Sequence, residues 1–206
     1  MELTDRDLEI LRLVYRFRFC LGRHVCKLGD FTGLRATDRR LRALVESGYL
    51  TRRKYLYGMP YLYTLSHKGR VLLGVNKRED KVRVDKISHD IYVIEAVIYF
   101  AKKQGLSLDA VESEKELHIK DGFGTRKHQP DFVFIVNGKK YAVEVELALK
   151  AKERLEKNIR DNYMGYDGQY WITNDKKVLA LLQSFQKTYA GLTTIELAAV
   201  VAHDKS

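Results

Sequence analysis

Leu8, Leu11 and Tyr15 recur at helical spacing behind Thr4-x-x-Asp7, a capping box with Asp in place of Glu, and predict a helix over 5–19. A short helix over 21–28 follows, and Gly29-Asp30-Phe31-Thr32-Gly33 then interrupts the chain. Thr37 is placed to cap a third helix over 38–47, which Gly48 ends. On that helix Leu41, Leu44 and Val45 share one face, Arg39, Arg42 and Glu46 point away from it, and Arg40 lies at the flank. Residues 49–56 and 61–65 read as a β-hairpin joined by Tyr57-Gly58-Met59-Pro60, with Arg52-Arg53-Lys54 on its first strand. Ser66-His67-Lys68-Gly69 opens a closing helix that ends at Gly74. Three helices followed by a basic hairpin is the order of a winged helix-turn-helix, in which the third helix enters the major groove and the hairpin touches the backbone.

The pattern changes after residue 76. A charged connector over 77–86 leads to a helix over 87–104 that carries His89, Asp90 and Glu95 among apolar residues. Alternating Glu112, Glu114 and Glu116 predict a strand over 111–119, and a basic, glycine-bearing loop over 121–129 follows it. Two β-rich runs then flank Asn137-Gly138, a strong signal for a two-residue hairpin turn. A helix over 150–163, a strand over 170–173, a helix to 189 capped by Asn174 or Asp175, and a strand over 194–201 complete the chain. This order predicts an α+β protein with domains at 1–76 and 87–206, the second a mixed sheet flanked by helices.

If Asn137-Gly138 is the turn, Asp131 lies opposite Glu144, with Cβ atoms about 4.5–5.5 Å apart. Glu146, two positions on, points to the same face. Phe132, Phe134, Val136, Tyr141, Val143, Val145 and Leu147 form the other face, which is a core. Like charges facing across two strands destabilise a sheet unless something positive lies between them, and a divalent cation bound by clustered carboxylates meets that need. Pro130 removes one backbone donor where its strand begins, a place that tolerates proline.

Charge sharpens the division. Residues 1–76 hold 15 Lys and Arg against 7 Asp and Glu, a balance of +8, whereas residues 77–206 hold 22 against 20, a balance of +2. The first third therefore suits a polyanion such as double-stranded DNA. The candidate contacts are Arg35, Arg39, Arg40, Arg42, Arg52, Arg53, Lys54 and Lys68, with Arg39 and Arg42 placed to meet guanine edges or phosphates and the hairpin cations to meet phosphates. A hydrophobic content of 45% is enough for a real core, and no apolar run is long enough to cross a membrane. Cys20 and Cys26 lack metal-ligand spacing and read as small buried residues of a reducing cytosol. The acidic start Met1-Glu2-Leu3-Thr4-Asp5 is not a signal peptide, so the cytoplasm is the expected location. No small-molecule cofactor motif is evident.

Pro130-Asp131, a hairpin and Glu144-Val145-Glu146 resemble the PD-(D/E)XK nuclease signature in an αβββαβ order. Leu3-Thr4-Asp5-Arg6-Asp7-Leu8, the Arg39-Arg40-Leu41-Arg42 helix, Gly48-Tyr49-Leu50, Tyr63-Thr64-Leu65-Ser66-His67-Lys68-Gly69 and Ser88-His89-Asp90 also resemble the replication-relaxation family of plasmid and mobile-element proteins, over roughly residues 4–175. The resemblance implies a winged helix fused to a restriction-endonuclease-like domain, acting in plasmid replication or DNA transfer. Glu146 stands where the nuclease pattern usually has lysine, and Lys150 or Lys152 from the next helix would replace it. Phosphodiester hydrolysis needs an activated water and neutralisation of charge on the phosphate, which Mg²⁺ or Mn²⁺ supplies. Asp131, Glu144 and Glu146 would be the ligands, Glu95 or Asp90 would complete the shell, and His89 would orient one of them. Tyr163, Tyr166 and Tyr170 are weaker candidates for a phosphotyrosine link. Metal-dependent cleavage or nicking is the leading expectation. The alternatives are a DNA-binding regulator or initiator whose second domain is a spent nuclease scaffold used for homodimerisation, and a second domain that binds a partner protein.

Overall fold

The computed structural model describes residues 2–29, 31–75, 81–122, 128–149 and 151–202. The chain divides into two compact units, Met1–Ile94 and Glu95–Ser206. The division falls inside one helix, because Ile87 and Ile91 at its start pack with Phe19, Leu21 and Leu62 of the first unit. No helix among the described residues is long and apolar enough to cross a membrane.

The first unit runs α1 (Asp5–Arg16), β1 (Cys20–Leu21), α2 (Gly22–Leu28), α3 (Leu34–Glu46), β2 (Leu50–Arg53), β3 (Leu62–Leu65) and α4 (His67–Leu72). The Thr4–Asp7 capping box forms as expected. The first helix ends earlier than expected, at Arg16, and Arg18 takes a left-handed φ of 68° that redirects the chain into β1. Strand β3 lies between β1 and β2 in an antiparallel sheet. The third helix starts at Leu34 rather than 38, with Gly33 as its cap residue. Thr37 is no cap: it is buried within the helix, where its Oγ1 donates to the Gly33 carbonyl at 3.1 Å. That back-bond to residue i−4 is the alternative use of a helical threonine. Ser66 does cap α4, accepting from the Gly69 N–H.

The second unit holds most of α5 (Ile87–Gln104), then β4 (Val111–Ser113), α6 (Glu114–Asp121), β5 (Phe132–Val136), β6 (Lys139–Val145), α7 (Lys152–Gly165), β7 (Gly168–Thr173), α8 (Lys176–Phe185), β8 (Leu192–Glu196) and α9 (Leu197–Ala202). Its five strands lie in sequence order; β4, β5 and β6 are antiparallel, while β7 and β8 join in parallel. Residues 114–119, expected to extend a strand, instead form α6. Ser113 and Glu116 close a capping box: Glu116 accepts from the Ser113 N–H and hydroxyl, each at 2.8 Å, which satisfies donors at the helix start. The expected last strand likewise stops at Glu196, because Leu197 and Val200 bury at a spacing of three, a helical and not an alternating period.

Asn137 (φ 52°) and Gly138 (φ 75°) both take the left-handed region, as a tight hairpin turn requires. Pairing runs from Val136–Lys139 to Phe132–Val143, the register expected from that turn. The Phe132/Phe134/Tyr141 face packs on α5, where Phe100 stacks on Phe134 with centroids 4.8 Å apart. The opposite face is also covered. Trp171 lies there with Leu155 and Ile159 of α7 and Val178 and Leu182 of α8. Glu144, the acid of β6, is therefore on a face that α7 covers.

Candidate nucleic-acid interface and acidic hollow

Helix α3 turns Leu41, Leu44 and Thr37 inward and leaves Arg35, Arg39 and Arg42 exposed. Arg40, between them in sequence, does something else. Its guanidinium grips both oxygens of the fully buried Asp7 in α1. Asp7 also accepts from the Thr4 N–H at 2.7 Å and the Thr4 hydroxyl at 2.8 Å. Burial pushes the Asp7 carboxyl up, but the bonds from Arg40 and Thr4 outweigh it and hold the group below the usual carboxylate range. Arg40 is thereby a tie between α1 and α3. Lys68 is similarly occupied: its Nζ donates to the Ser47 carbonyl at the end of α3, at 2.9 Å, and lies 4.3 Å above the Tyr49 ring.

Arg52, Arg53 and Lys54 are exposed on the hairpin. Arg52 pairs across the strands with Tyr63, whose hydroxyl is pushed up by burial and by Asp38 and pulled down by Arg52 and Arg42. One arginine of α3 and one of β2 thus lie near the same ring. Arg52 and Lys54 also lie over Tyr61, at 5.0 and 5.4 Å from its centroid. The run of three cations at 52–54 followed by tyrosines at 55, 57 and 61 is the sequence signal for these rings. Nothing local could have revealed the Arg40–Asp7 tie, whose partners are 33 residues apart.

In the second unit Glu144 is buried on β6. Its Oε1 is 2.6 Å from His128 Nε2 and accepts from Asn162 Nδ2 of α7 at 2.9 Å. Burial raises the Glu144 pKa, the His128 bond opposes that, and the charge of Asp131 adds to the rise. For His128, burial lowers the pKa, but the Glu144 carboxylate beside it prevails and raises it. Asp131, just ahead of β5, accepts the Val145 N–H on its Oδ2 at 2.8 Å, while its carbonyl accepts from the Glu114 N–H at 2.9 Å. Next to this network lies a polar hollow of about 220 Å³ lined by His128, Lys120, Asp121, Lys140, Asp161 and Tyr166, among others. Burial pushes the Tyr166 hydroxyl up to about 12, the wrong direction for a nucleophile.

The remaining expected site residues are dispersed. Glu146 lines a separate shallow hollow with Arg154 and Asn158. Lys152 is exposed at the start of α7, and Lys150 lies outside the described residues. His89 and Asp90 belong to the first unit and bond to each other at 3.1 Å; Glu95 is buried in the second. Among the described residues no group of three or more His, Cys, Asp or Glu side chains is placed to hold a metal ion. Sequence reasoning overlooked His128 and Asn162, the two groups that contact Glu144; His128 precedes Pro130-Asp131 and was legible as a neighbour of the motif.

No curated protein and no solved structure matches the chain. A family model described as replication-relaxation matches residues 11–180. The chain therefore belongs to the replication-relaxation family, a membership that suggests a part in the replication or mobilisation of a plasmid or mobile element.

Proposed function

We propose that this chain is a DNA-binding protein of plasmid or mobile-element replication whose first unit is a winged helix that reads duplex DNA. The observation that carries this is the set of exposed cations, Arg35, Arg39 and Arg42 on α3 with Arg52, Arg53 and Lys54 on the hairpin, in a unit whose element order is that of a winged helix. The two occupied cations, Arg40 and Lys68, drop out of the contact set. In this reading Arg39 and Arg42 enter the groove, and the hairpin cations meet phosphates. The test is a salt titration of duplex binding. Arg39→Ala with Arg42→Ala should weaken affinity and lower the slope of log K against log salt by about 0.9 for each phosphate the variant no longer neutralises. Unchanged affinity and slope would remove α3 as the reader.

In this reading the second unit is a restriction-endonuclease-like scaffold. Support comes from its αβββαβ order, into which α6 is inserted, and from Glu144, which spends its carboxylate on two internal partners. The residues expected to hold Mg²⁺ or Mn²⁺ do not fit that ion as arranged. Glu146 opens into its own hollow, and the donors left near Glu144 are already hydrogen-bonded within the protein. DNA cleavage is the second reading, favoured by the bond that holds Asp131 on the Val145 N–H, next to Glu144, and by a polar hollow lined by His128 and Lys140. Incubation of supercoiled plasmid with the full chain in Mg²⁺ or Mn²⁺ separates the two. Intact supercoils support the scaffold; nicking that Asp131→Ala abolishes would establish the cleavage reading in its place.

A further inference from the structure

The loop joining β2 to β3 is held at both shoulders and open at its tip. Tyr55 and Met59 turn inward and pack against the cluster of Phe19, Leu21, Leu62, Ile87 and Ile91. Between them Tyr57 is fully exposed and Leu56 is partly so. Gly58 turns the chain with a φ of 77°, and a Cβ built there meets nothing within 4 Å, so the space around the tip is open. The Met59 N–H closes the turn on the Leu56 carbonyl at 3.4 Å. Every other tyrosine of the hairpin has work within the protein: Tyr55 in the core, Tyr61 under Arg52 and Lys54, Tyr63 beside Arg52.

Two facts bear on the purpose of the open ring. It is carried by a loop whose shoulders are packed, so little conformational freedom remains for a ligand to remove. Three exposed cations, Arg52, Arg53 and Lys54, precede it in the same hairpin. An aromatic ring projecting from a positively charged ribbon is the arrangement that stacks on a nucleobase while the cations hold its backbone. In continuous duplex the base faces are already stacked on one another and offer no surface to a ring. The tip therefore fits a base that has left its pair.

We propose that Tyr57 is a stacking site for an unpaired base, so that the hairpin engages DNA at a boundary between duplex and open strands. The inference rests on the winged-helix reading and specifies it: α3 holds the duplex, and the hairpin tip holds a base beyond its end. Such a device favours strand opening next to the bound duplex, because binding the open form better than the closed form shifts the balance between them.

The test uses the full chain and two fluorescein-labelled 30-mer probes of one sequence, fully paired or with a central six-base bubble carrying 2-aminopurine. The expected result is tighter binding of the bubble by the unaltered protein, with quenching of 2-aminopurine. Tyr57→Ala should lose that preference, by roughly 5- to 150-fold in bubble affinity, the range one stacked base supplies. It should leave duplex affinity within about twofold, because a phosphate-held duplex does not call on the ring. Tyr57→Trp should keep both preference and quenching. Equal affinity for the two probes, or a bubble preference that survives Tyr57→Ala, overturns the stacking site while leaving duplex binding standing. Absence of salt-sensitive duplex binding by the unaltered protein overturns the winged-helix reading itself, and the stacking site with it.

Discussion

Arg39, Arg40 and Arg42 lie within one turn of α3, yet the structure gives them different work, and Arg40→Ala tests the assignment. The substitution removes a two-pronged, charge-assisted bond and leaves Asp7 buried with only its Thr4 donors. An exposed ion pair contributes about 0–1 kcal/mol, and breaking a buried one costs about 3–5. Asp7 is fully buried while the Arg40 side chain is 29% exposed, so solvent screens one end and the cost should fall between, at about 2 kcal/mol. For a unit of this size that lowers the melting temperature by about 8–16 °C. Urea unfolding followed by far-ultraviolet circular dichroism measures it, with Arg39→Ala as the control; an exposed residue away from special contacts should change stability by under about 0.5 kcal/mol. The pH dependence has a defined sign. The folded Asp7 pKa is depressed, so its contribution is present above the unfolded value near 3.9 and disappears as pH falls through the folded value. Arg40→Ala should flatten that acid limb. If Arg40→Ala and Arg39→Ala prove equally stable, or if Arg40→Ala lowers the salt slope of DNA binding as Arg39→Ala does, the division of labour on α3 is wrong.

Two more outcomes follow from the packing. His128 has a raised folded pKa, so its stabilisation is complete below the unfolded value near 6.5 and is lost as pH climbs through the folded one; His128→Asn should remove that alkaline decline in urea midpoints measured between pH 5.5 and 9. Gly69→Ala should destabilise by about 1–3 kcal/mol in thermal melts, since its Cβ would meet the Leu65 side chain at 2.8 Å and, closer still, the Tyr49 carbonyl; a melt unchanged from that of the parent protein would show that α4 can shift to make room.

How far the chain was legible depended on the range of the interaction. The Asn137-Gly138 turn and the pairing it sets are local, because two residues with positive φ leave one way to fold back, and the ladder runs in the expected register as far as Phe132 and Val143. Local signals also misled where two of them competed. The alternation of Glu112, Glu114 and Glu116 argues for a strand, but Ser113 and Glu116 bond to each other's backbone and start a helix. Thr37 has the chemistry of a cap, yet Gly33 takes the cap position and Thr37 goes inside.

By itself the sequence determined most of the long helices, the asymmetry of charge and the register of the acidic hairpin, since each depends on residues a few positions apart. Tertiary structure alone decided which charges are available. Arg40 went to Asp7, Lys68 to the end of α3, and Glu144 to His128 and Asn162, because a buried or confined charge takes whatever partner the fold brings within hydrogen-bond reach. Those partners lie 16 to 33 positions away along the chain, where no spacing rule extends.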